Sequence, residues 1–242
     1  MNRLIRNWIS RSATIGVLLL LLISCKKDDD NSANKDVVIF NPNLTYDTVS
    51  DIDGNIYKTI KIGTQTWMAE NLKTTRYNDG TEIPLLTNSS EWSKNASGYC
   101  WYENNSAKYK NTYGALYKWN TINTGHLCPI GWHIPSDTEW LTLINYAGSE
   151  MVSGRSLKEA NSVHWLCPEY GGDNLYGFTA LPGGWREPEG SFRLIGIDGI
   201  FWTSSEKDVN DAYDRVIYSC YEDIPQDWAP KNYGFSVRCV KD

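Results

Sequence analysis

Cysteine and histidine are the first side chains to consider, because they form disulfides, bind metals and act as nucleophiles. None of the cysteines is spaced as Cys-x-x-Cys, so a zinc ribbon and a thioredoxin-like redox site both lack their motif. His126, Cys128 and His133 lie close together, but their spacing matches no metal-ligand pattern, and we predict no metal site. After residue 99 the number of cysteines is odd, so at least one stays free or pairs elsewhere: Cys100, Cys128, Cys167, Cys220 and Cys239.

A second group of candidate residues lies in a segment rich in glycine and proline. Trp185, Arg186, Glu187 and Glu189 combine an aromatic ring, a cation and two carboxylates. Loops often carry binding residues, so we predict that this segment contacts a glycan or a protein ligand. The alternative is that Arg186 and the carboxylates form a solvated or salt-bridged loop.

The amino end has the pattern of an export signal. Arg3, Arg6 and Arg11 precede an apolar run, and only fourteen uncharged residues separate Arg11 from Lys26. A helix that spans a bilayer needs about 20 apolar residues, so the run is too short for a permanent anchor. A basic head before a short apolar core is typical of a secretory signal, which we assign to residues 1–24.

The residues around Cys25 resemble the lipobox of bacterial lipoproteins. Ser24 precedes Cys25, with Leu22 and Ile23 upstream. The resemblance implies that the chain is cut before Cys25 and that this cysteine is acylated; two or three acyl chains hold a protein durably on a membrane. The charged residues 26–30 resemble a tag that directs lipoproteins to the outer face of the outer membrane. We predict a lipidated, flexible tether over residues 25–45, since the segment from 31 is mostly polar.

Composition argues against nucleic acid as a partner and against several enzyme classes. Loss of residues 1–24 removes three of 23 basic residues and leaves 20 against 29 acidic residues, a formal charge of −9 with no basic cluster after Lys27. The chain has no Gly-x-Ser-x-Gly, His-Glu-x-x-His or glycine-rich phosphate motif. With so many acidic residues, no glycosidase-type carboxylate pair can be selected. We predict no catalytic residues.

Strands, turns and two helices must position these residues. Residues 51–55, Asp-Ile-Asp-Gly-Asn, favour a tight hairpin turn; a complete calcium loop would need glutamate at its twelfth position, which is Ile62. Strands are expected after this turn and in the last third of the chain, where residues 233–240 alternate like a half-buried strand. The order of strands, helices and strands predicts an α+β fold.

Two helices are predicted from local patterns. The first covers residues 114–122, where Leu116, Trp119 and Asn120 have helical spacing. The second starts at Ser136, which with Glu139 forms a capping box, and ends near Gly148.

Five longer motifs run through the chain: DIDGNIYKTIKIGTQTWMAENLKTTRYNDGTEIP at 51–84, CPIGWHIPSDTEWLTL at 128–143, GFTALPGGWR at 177–186, FWTSSE at 201–206 and YGFSVRCVKD at 233–242. Together they closely resemble the Fibrobacter succinogenes major paralogous domain over residues 46–242. That family occurs in exported and surface proteins, mainly lipoproteins. A looser resemblance links it to C-type-lectin-like domains and the formylglycine-generating enzyme fold. The resemblance implies an irregular α+β domain with two helices, small antiparallel sheets and long loops.

The lectin-like resemblance also implies particular residues. A disulfide Cys128–Cys239 would correspond to the one that ties the first helix region to the last strand, leaving Cys220 to pair with Cys167 or Cys100. Glu187-Pro188-Glu189 is similar to the lectin sugar motif Glu-Pro-Asn in two of three positions. Asn210 and Asp211 match the end of a Trp-Asn-Asp motif. No cofactor is predicted. The two motifs are similar to calcium-binding motifs of lectins, so they leave open whether calcium binds.

Together these features predict a surface-exposed lipoprotein of the outer membrane, facing the cell exterior, with a non-catalytic module that binds a glycan or a protein. Its other predicted partner is the membrane itself, through the lipid anchor. One alternative is a structural cell-surface protein. The other is an enzyme related to the formylglycine-generating fold, which would need reduced cysteines such as Cys220 and Cys239.

Overall fold

The computed structural model describes residues 37–161 and 163–242. They belong to one compact unit, Asn34–Asp242. The predicted signal at 1–24, the predicted lipidation site Cys25 and the charged residues 26–30 lie outside the described residues. No helix within 37–161 and 163–242 is long and apolar enough to cross a membrane.

Short strands dominate the described residues. In chain order they are β1 (Asp47–Ser50), β2 (Ile56–Ile62), β3 (Gln65–Met68), β4 (Tyr99–Cys100), β5 (Leu116–Lys118), β6 (Trp132–His133), β7 (Trp185–Arg186), β8 (Phe192–Arg193), β9 (Asp198–Glu206), β10 (Asp211–Tyr218), β11 (Gln226–Pro230), β12 (Gly234–Phe235) and β13 (Val240–Lys241). They form three sheets with the orders β1-β2-β3-β13-β6, β11-β10-β9 and β4-β5-β12-β7-β8. The named strand pairs are antiparallel.

Five α-helices connect the strands in the described part of the chain. They are α1 (Ser89–Lys94), α2 (Ser106–Tyr113), α3 (Trp119–Ile122), α4 (Asp137–Tyr146) and α5 (Ser153–Leu157). Helix α4 starts with the predicted capping box: the Ser136 hydroxyl accepts from the Glu139 N–H, and the Glu139 carboxylate accepts from the Ser136 N–H. The longest helices, α2 and α4, together with the small antiparallel sheets, confirm the predicted α+β class.

The predicted helix over residues 114–122 is wrong in its first half. Residues 116–118 form β5, and only the single turn α3 follows. Tyr117 pairs with Tyr99 and with Phe235, which is more than 100 residues away in the chain. Sheet pairing with distant strands overrides a local spacing that suits a helix.

The predicted half-buried strand over residues 233–240 is also corrected. Two short strands, β12 and β13, stand in its place, and both faces of the segment are buried. Arg238 is fully buried: its Nε donates to Asn71 Oδ1 at 2.9 Å, and its Nη atoms donate to the carbonyls of Phe178 and Thr179. Burial lowers the pKa of Arg238 to about 9. These hydrogen bonds offset the cost of removing a cation from water.

Aromatic side chains fill the core between the sheets and α4. The Trp67 ring lies 5.1 Å from Trp140 and 5.7 Å from Phe178, and Trp140 lies 5.4 Å from Phe201. All four rings are fully buried. The high tryptophan content therefore serves the core here, where each ring buries a large apolar area.

Two disulfides join distant parts of the domain. Cys128–Cys239 confirms the predicted pair, with an S–S distance of 2.04 Å. Cys167–Cys220 decides the pairing that the sequence left open, with a Cα–Cα distance of 5.2 Å. Among the described cysteines, Cys100 is the free thiol, and burial raises its pKa to about 12. Such a thiol is inert rather than nucleophilic.

The packed part of the chain begins before residue 46, the boundary predicted for the domain. The Ile39 N–H donates to Glu159 Oε1 at 2.7 Å. Phe40 and Leu44 pack against the buried cluster that contains Trp67. The end of the predicted tether is thus held against the domain, and its residues 25–36 lie outside the described part.

Candidate functional site

The structure gives Arg186 a structural position instead of the predicted ligand-binding one. Its side chain is buried, with Nη1 donating to the Leu86 carbonyl at 2.6 Å, Nη2 to Thr87 at 3.1 Å and Nε to Gly190 at 3.0 Å. The guanidinium carbon lies 4.5 Å from the centroid of the Trp92 ring and 4.7 Å from that of Phe192. The side chain is buried, each of its three nitrogens donates to a carbonyl, and both its faces are covered, so no ligand reaches this cation.

The other predicted residues of this segment are also drawn into the domain. Trp185 is buried, and its indole N–H has no hydrogen-bond partner in the described structure. The Glu187 carboxylate accepts from Arg193 Nε at 2.9 Å and from the Ser191 hydroxyl at 3.0 Å. Glu189 is exposed and accepts from Ser191. The segment forms the β7–β8 hairpin rather than an open binding loop.

Asn210 lies in a separate turn, and Asp211 follows it as the first residue of β10. The Asp208 carboxylate accepts from the backbone N–H groups of both residues, at 2.9 and 3.0 Å. Among the described residues, no hydrogen bond or ion pair joins this turn to the β7–β8 hairpin. The two halves of the lectin-like motif are therefore not linked into one site by direct polar contacts.

The histidine and cysteine cluster seen in the sequence has structural partners. Cys128 is in a disulfide, and His133 bonds Asp242 through Nδ1 at 2.6 Å and Glu139 through Nε2 at 2.8 Å. Burial acts to lower the pKa of His133, but these hydrogen bonds outweigh it and raise the pKa. Within residues 37–161 and 163–242 no group of three His, Cys, Asp or Glu side chains is arranged to hold a metal ion.

A concavity lies at the turn of the β1–β2 hairpin, where the sequence predicted only a turn. Its volume is about 660 Å³. We call it the Asp53 cleft, and the residues that matter to its chemistry are Asp53, Thr75, Arg76, Glu82, Leu85 and Tyr99.

Asp51 builds the hairpin turn that positions Asp53. Its Oδ1 accepts from the N–H groups of Asp53 and Asn55, at 3.0 and 2.9 Å, and its Oδ2 accepts from the Tyr57 hydroxyl at 2.5 Å. Gly54 adopts φ 79°, a left-handed conformation that glycine tolerates at no steric cost. An Asp side chain that caps its own turn is a common use of this residue.

Asp53 connects the turn to the segment 74–76. Its Oδ2 accepts from the Thr75 N–H at 2.5 Å and from both the Thr74 and Thr75 hydroxyls, while its Oδ1 accepts from Arg76 Nε at 2.6 Å. Burial acts to raise the pKa of Asp53, but the hydrogen bonds outweigh it and lower the pKa to about 2. This carboxylate stays ionised at any physiological pH and holds Arg76 at the cleft.

Arg76, Glu82 and Leu85 are accessible at the cleft. The Arg76 side chain is 42% exposed, so its guanidinium still meets solvent beside Asp53. Glu82 is exposed and pairs with Arg76 through a backbone bridge. Leu85 is 47% exposed and adds an apolar rim, while Tyr99 is buried behind it. The cleft thus offers a cation, a carboxylate, a hydroxyl and an apolar surface within one concavity, a mixture typical of small-molecule sites.

The signal for this site was in the sequence, in the motifs DIDGN at 51–55 and TTRYNDGTEIP at 74–84. Read one at a time, they indicate turns. Only the tertiary pairing of Asp53 with Thr75 and Arg76 brings them together.

Comparison with known proteins identifies the family. A model of the Fibrobacter succinogenes major domain matches residues 60–241, which is 182 of the 242 residues. The chain belongs to the Fibrobacter succinogenes major domain family. No curated protein and no solved structure matches it significantly. The similarity of this family member to C-type-lectin-like domains therefore stays a prediction, and its function must be argued from its own residues.

Proposed function

We propose that this family member is a lipoprotein of the outer-membrane surface, anchored through Cys25, whose domain is a non-catalytic module that binds a glycan in the Asp53 cleft. The anchor rests on the lipobox-like residues 22–25 and the short apolar run before them. The binding function rests on the cleft.

The observation that carries the proposal is the combination of fixed donors and acceptors in a cavity of about 660 Å³. A sugar hydroxyl is both a donor and an acceptor, so it is bound best where a cation and a carboxylate lie close together. Arg76, held by Asp53, and Glu82 provide this pair. Leu85 offers an apolar surface for the C–H faces of a sugar ring. Because Asp53 holds Arg76 in advance, little side-chain entropy is lost on binding.

The same geometry favours binding over hydrolysis. A general acid must carry a proton near neutral pH, whereas the pKa of Asp53 is lowered to about 2. Asp53 is the other carboxylate of the cleft, but it already accepts hydrogen bonds from four donors. It is therefore not free to act with Glu82 in acid–base catalysis.

A glycan array tests the proposal. The mature protein in detergent would be applied with calcium and with a chelator, beside the variants Glu82→Ala and Glu91→Ala. Glu91 is an exposed glutamate on α1, outside the cleft, and serves as the matched control. We expect Glu82→Ala to weaken glycan binding about tenfold or more, the loss of one hydrogen bond to a charged group. Glu91→Ala should bind like wild type.

Two outcomes would reject the cleft as the site. One is the absence of any bound glycan in either condition, which would favour a structural role at the cell surface. The other is glycan binding that Glu82→Ala leaves unchanged. Glycan binding that occurs with calcium and is lost with the chelator would point to calcium and the lectin-like motif instead.

A further inference from the structure

A group of exposed apolar residues lies where the end of α4, the residues before α5 and the segment 173–176 meet. We call it the Leu175 face, and its residues are Val37, Tyr146, Met151, Val152 and Leu175. Each of them is half or more exposed. Single exposed apolar residues are ordinary on a protein surface, whereas a group of them on one surface marks a contact with an apolar partner.

Contacts between the segments hold the Leu175 face together. The Tyr146 ring, at the end of α4, lies 5.4 Å from the ring of Tyr176. Arg155 Nε, on α5, lies 3.4 Å from Asp173 Oδ2. Leu175 is in the chain between these two contacts, so it lies beside both helices. Two helices and one loop thus form a single surface.

The first described residues of the chain lie at the same surface. The Asn41 side chain donates to the Asn174 carbonyl at 3.0 Å, one residue before Leu175. Val37, four residues before Asn41, is exposed. The chain therefore enters the domain beside the Leu175 face.

The length of the preceding chain limits how far this entry point can lie from the proposed lipid. Val37 comes 12 residues after Cys25. Even a fully extended segment of that length spans at most about 40–43 Å. Acyl chains on Cys25 would hold the entry point within this distance of the lipid. Of the exposed surfaces of the domain, the one around the entry point then meets the lipid most often.

The charged groups at the edge of the face indicate which kind of lipid surface it suits. Arg155 pairs with Asp173, and Glu150 pairs with Arg215. The acidic residues 222–223 also lie beside α5, where the first of them accepts from a helix N–H at 2.7 Å. The edge has no excess of positive charge that would attract anionic headgroups. The contact is therefore apolar and suits a lipid surface without net charge.

We propose that the Leu175 face rests on the lipid surface to which the proposed anchor at Cys25 holds the domain. Tyr146 lies at the level of the headgroups, and Met151 and Leu175 contact the upper part of the acyl chains. Tyrosine is favoured at that level because its ring is apolar and its hydroxyl is polar. This inference rests on the proposed anchor but not on the glycan site, since the Asp53 cleft and the face share no residue.

Quenching of a fluorescent label tests the contact. The mature lipidated protein would be bound to phosphatidylcholine vesicles, with the fluorophore NBD attached at Leu175→Cys or, as the matched control, at Val209→Cys. Val209 is an exposed apolar residue between β9 and β10. The label enters only the new cysteine, because Cys100 is buried with its pKa raised to about 12 and the other described cysteines form disulfides.

Two quenchers report the surroundings of the label. An apolar group at a membrane interface lies ~5–10 Å into the boundary between headgroups and acyl chains, so we expect doxyl-labelled lipids to quench the Leu175 label at least about twofold. Iodide in the water should leave this label nearly unchanged. The Val209 label should show the reverse, with strong quenching by iodide and little by the lipids.

A second substitution tests whether the whole face makes the contact. Met151→Asp, in the protein labelled at Leu175, should reduce quenching by the lipids at least about twofold, because a carboxylate is costly to remove from water. Val209→Asp is the matched control and should leave that quenching unchanged. Both residues are exposed, so neither substitution removes a core contact.

Sedimentation with the vesicles separates failure of the anchor from failure of the face. A mature chain that does not sediment with vesicles rejects the anchor and this inference with it. If the chain sediments but iodide quenches the Leu175 label as strongly as the Val209 label, only the role of the face is refuted. A Leu175 label that neither quencher reaches is covered by protein, either residues 25–36 or a second copy, and this result also refutes the lipid contact.

Discussion

Replacement of Arg186 by methionine distinguishes a structural cation from a ligand-binding one. Methionine keeps most of the length and apolar character of the side chain but removes the guanidinium. The carbonyls of Leu86 and Gly190 then lose the Arg186 donor, and the Thr87 carbonyl keeps only its hydrogen bond from Asn104 Nδ2. The Trp92 and Phe192 rings lose the cation between them.

The expected cost follows from these contacts. An acceptor left buried without a donor costs ~1–3 kcal/mol, and a desolvated cation–π contact is worth up to about 2 kcal/mol. Part of this loss is offset, because the variant no longer has to bury a charge. We expect Arg186→Met to lower the free energy of unfolding by about 4 kcal/mol, which for a domain of this size lowers the melting temperature by roughly 8–16 °C. Arg186→Lys keeps the charge but not the three-way fork and should cost about half as much.

Urea unfolding followed by tryptophan fluorescence measures this change. Arg193→Met is the matched control, because this arginine is on the same hairpin and its side chain is 52% exposed. Its ion pair within the described residues is with Glu187. An exposed pair contributes ~0–1 kcal/mol, so the control should unfold nearly like wild type. If Arg186→Met unfolds within 1 kcal/mol of wild type but loses glycan binding, the structural role is refuted and the loop is the ligand site after all.

Three further predictions concern charge, covalent links and the anchor. Burial raises the pKa of Asp214 well above its ordinary 3.8, and neither carboxyl oxygen is hydrogen-bonded to a residue that the structure describes. The folded state therefore retains a proton that the unfolded state releases, so the wild-type protein loses stability as pH rises from about 4 towards the folded pKa. Asp214→Asn should reduce this loss, measured as the change in the free energy of unfolding in urea between pH 5 and pH 8. An equal change in both proteins would contradict the prediction. Replacing Cys128 and Cys239 by serine removes a disulfide between residues 111 positions apart and should lower the free energy of unfolding by roughly 4–5 kcal/mol. A change below 1 kcal/mol would argue against a stabilising disulfide. Mass spectrometry of the native protein should find a chain starting at acylated Cys25, and Cys25→Ser should release it from membranes; a chain that starts at Met1 without lipid would refute the anchor.

Local sequence patterns predicted the elements whose hydrogen bonds are local. The capping box at Ser136 and Glu139 positions α4, and the Asp-Gly turn positions the β1–β2 hairpin. Prediction failed at residues 114–118, where β5 gains its partners from β4 and β12. The family resemblance supplied the Cys128–Cys239 pair, which no spacing rule contains.

The candidate sites show the same division. The sequence by itself identified the α+β class, the absence of common catalytic motifs and a loop of mixed charges at 185–189. It could not show that Arg186 and Arg238 are buried, because the carbonyls that accept their hydrogen bonds lie as far as 100 residues away. Tertiary structure alone decided that Asp53 meets Arg76. The physical reason is that burial of a charge depends on acceptors from elsewhere in the chain, whereas a turn or a helix cap is satisfied by its own neighbours.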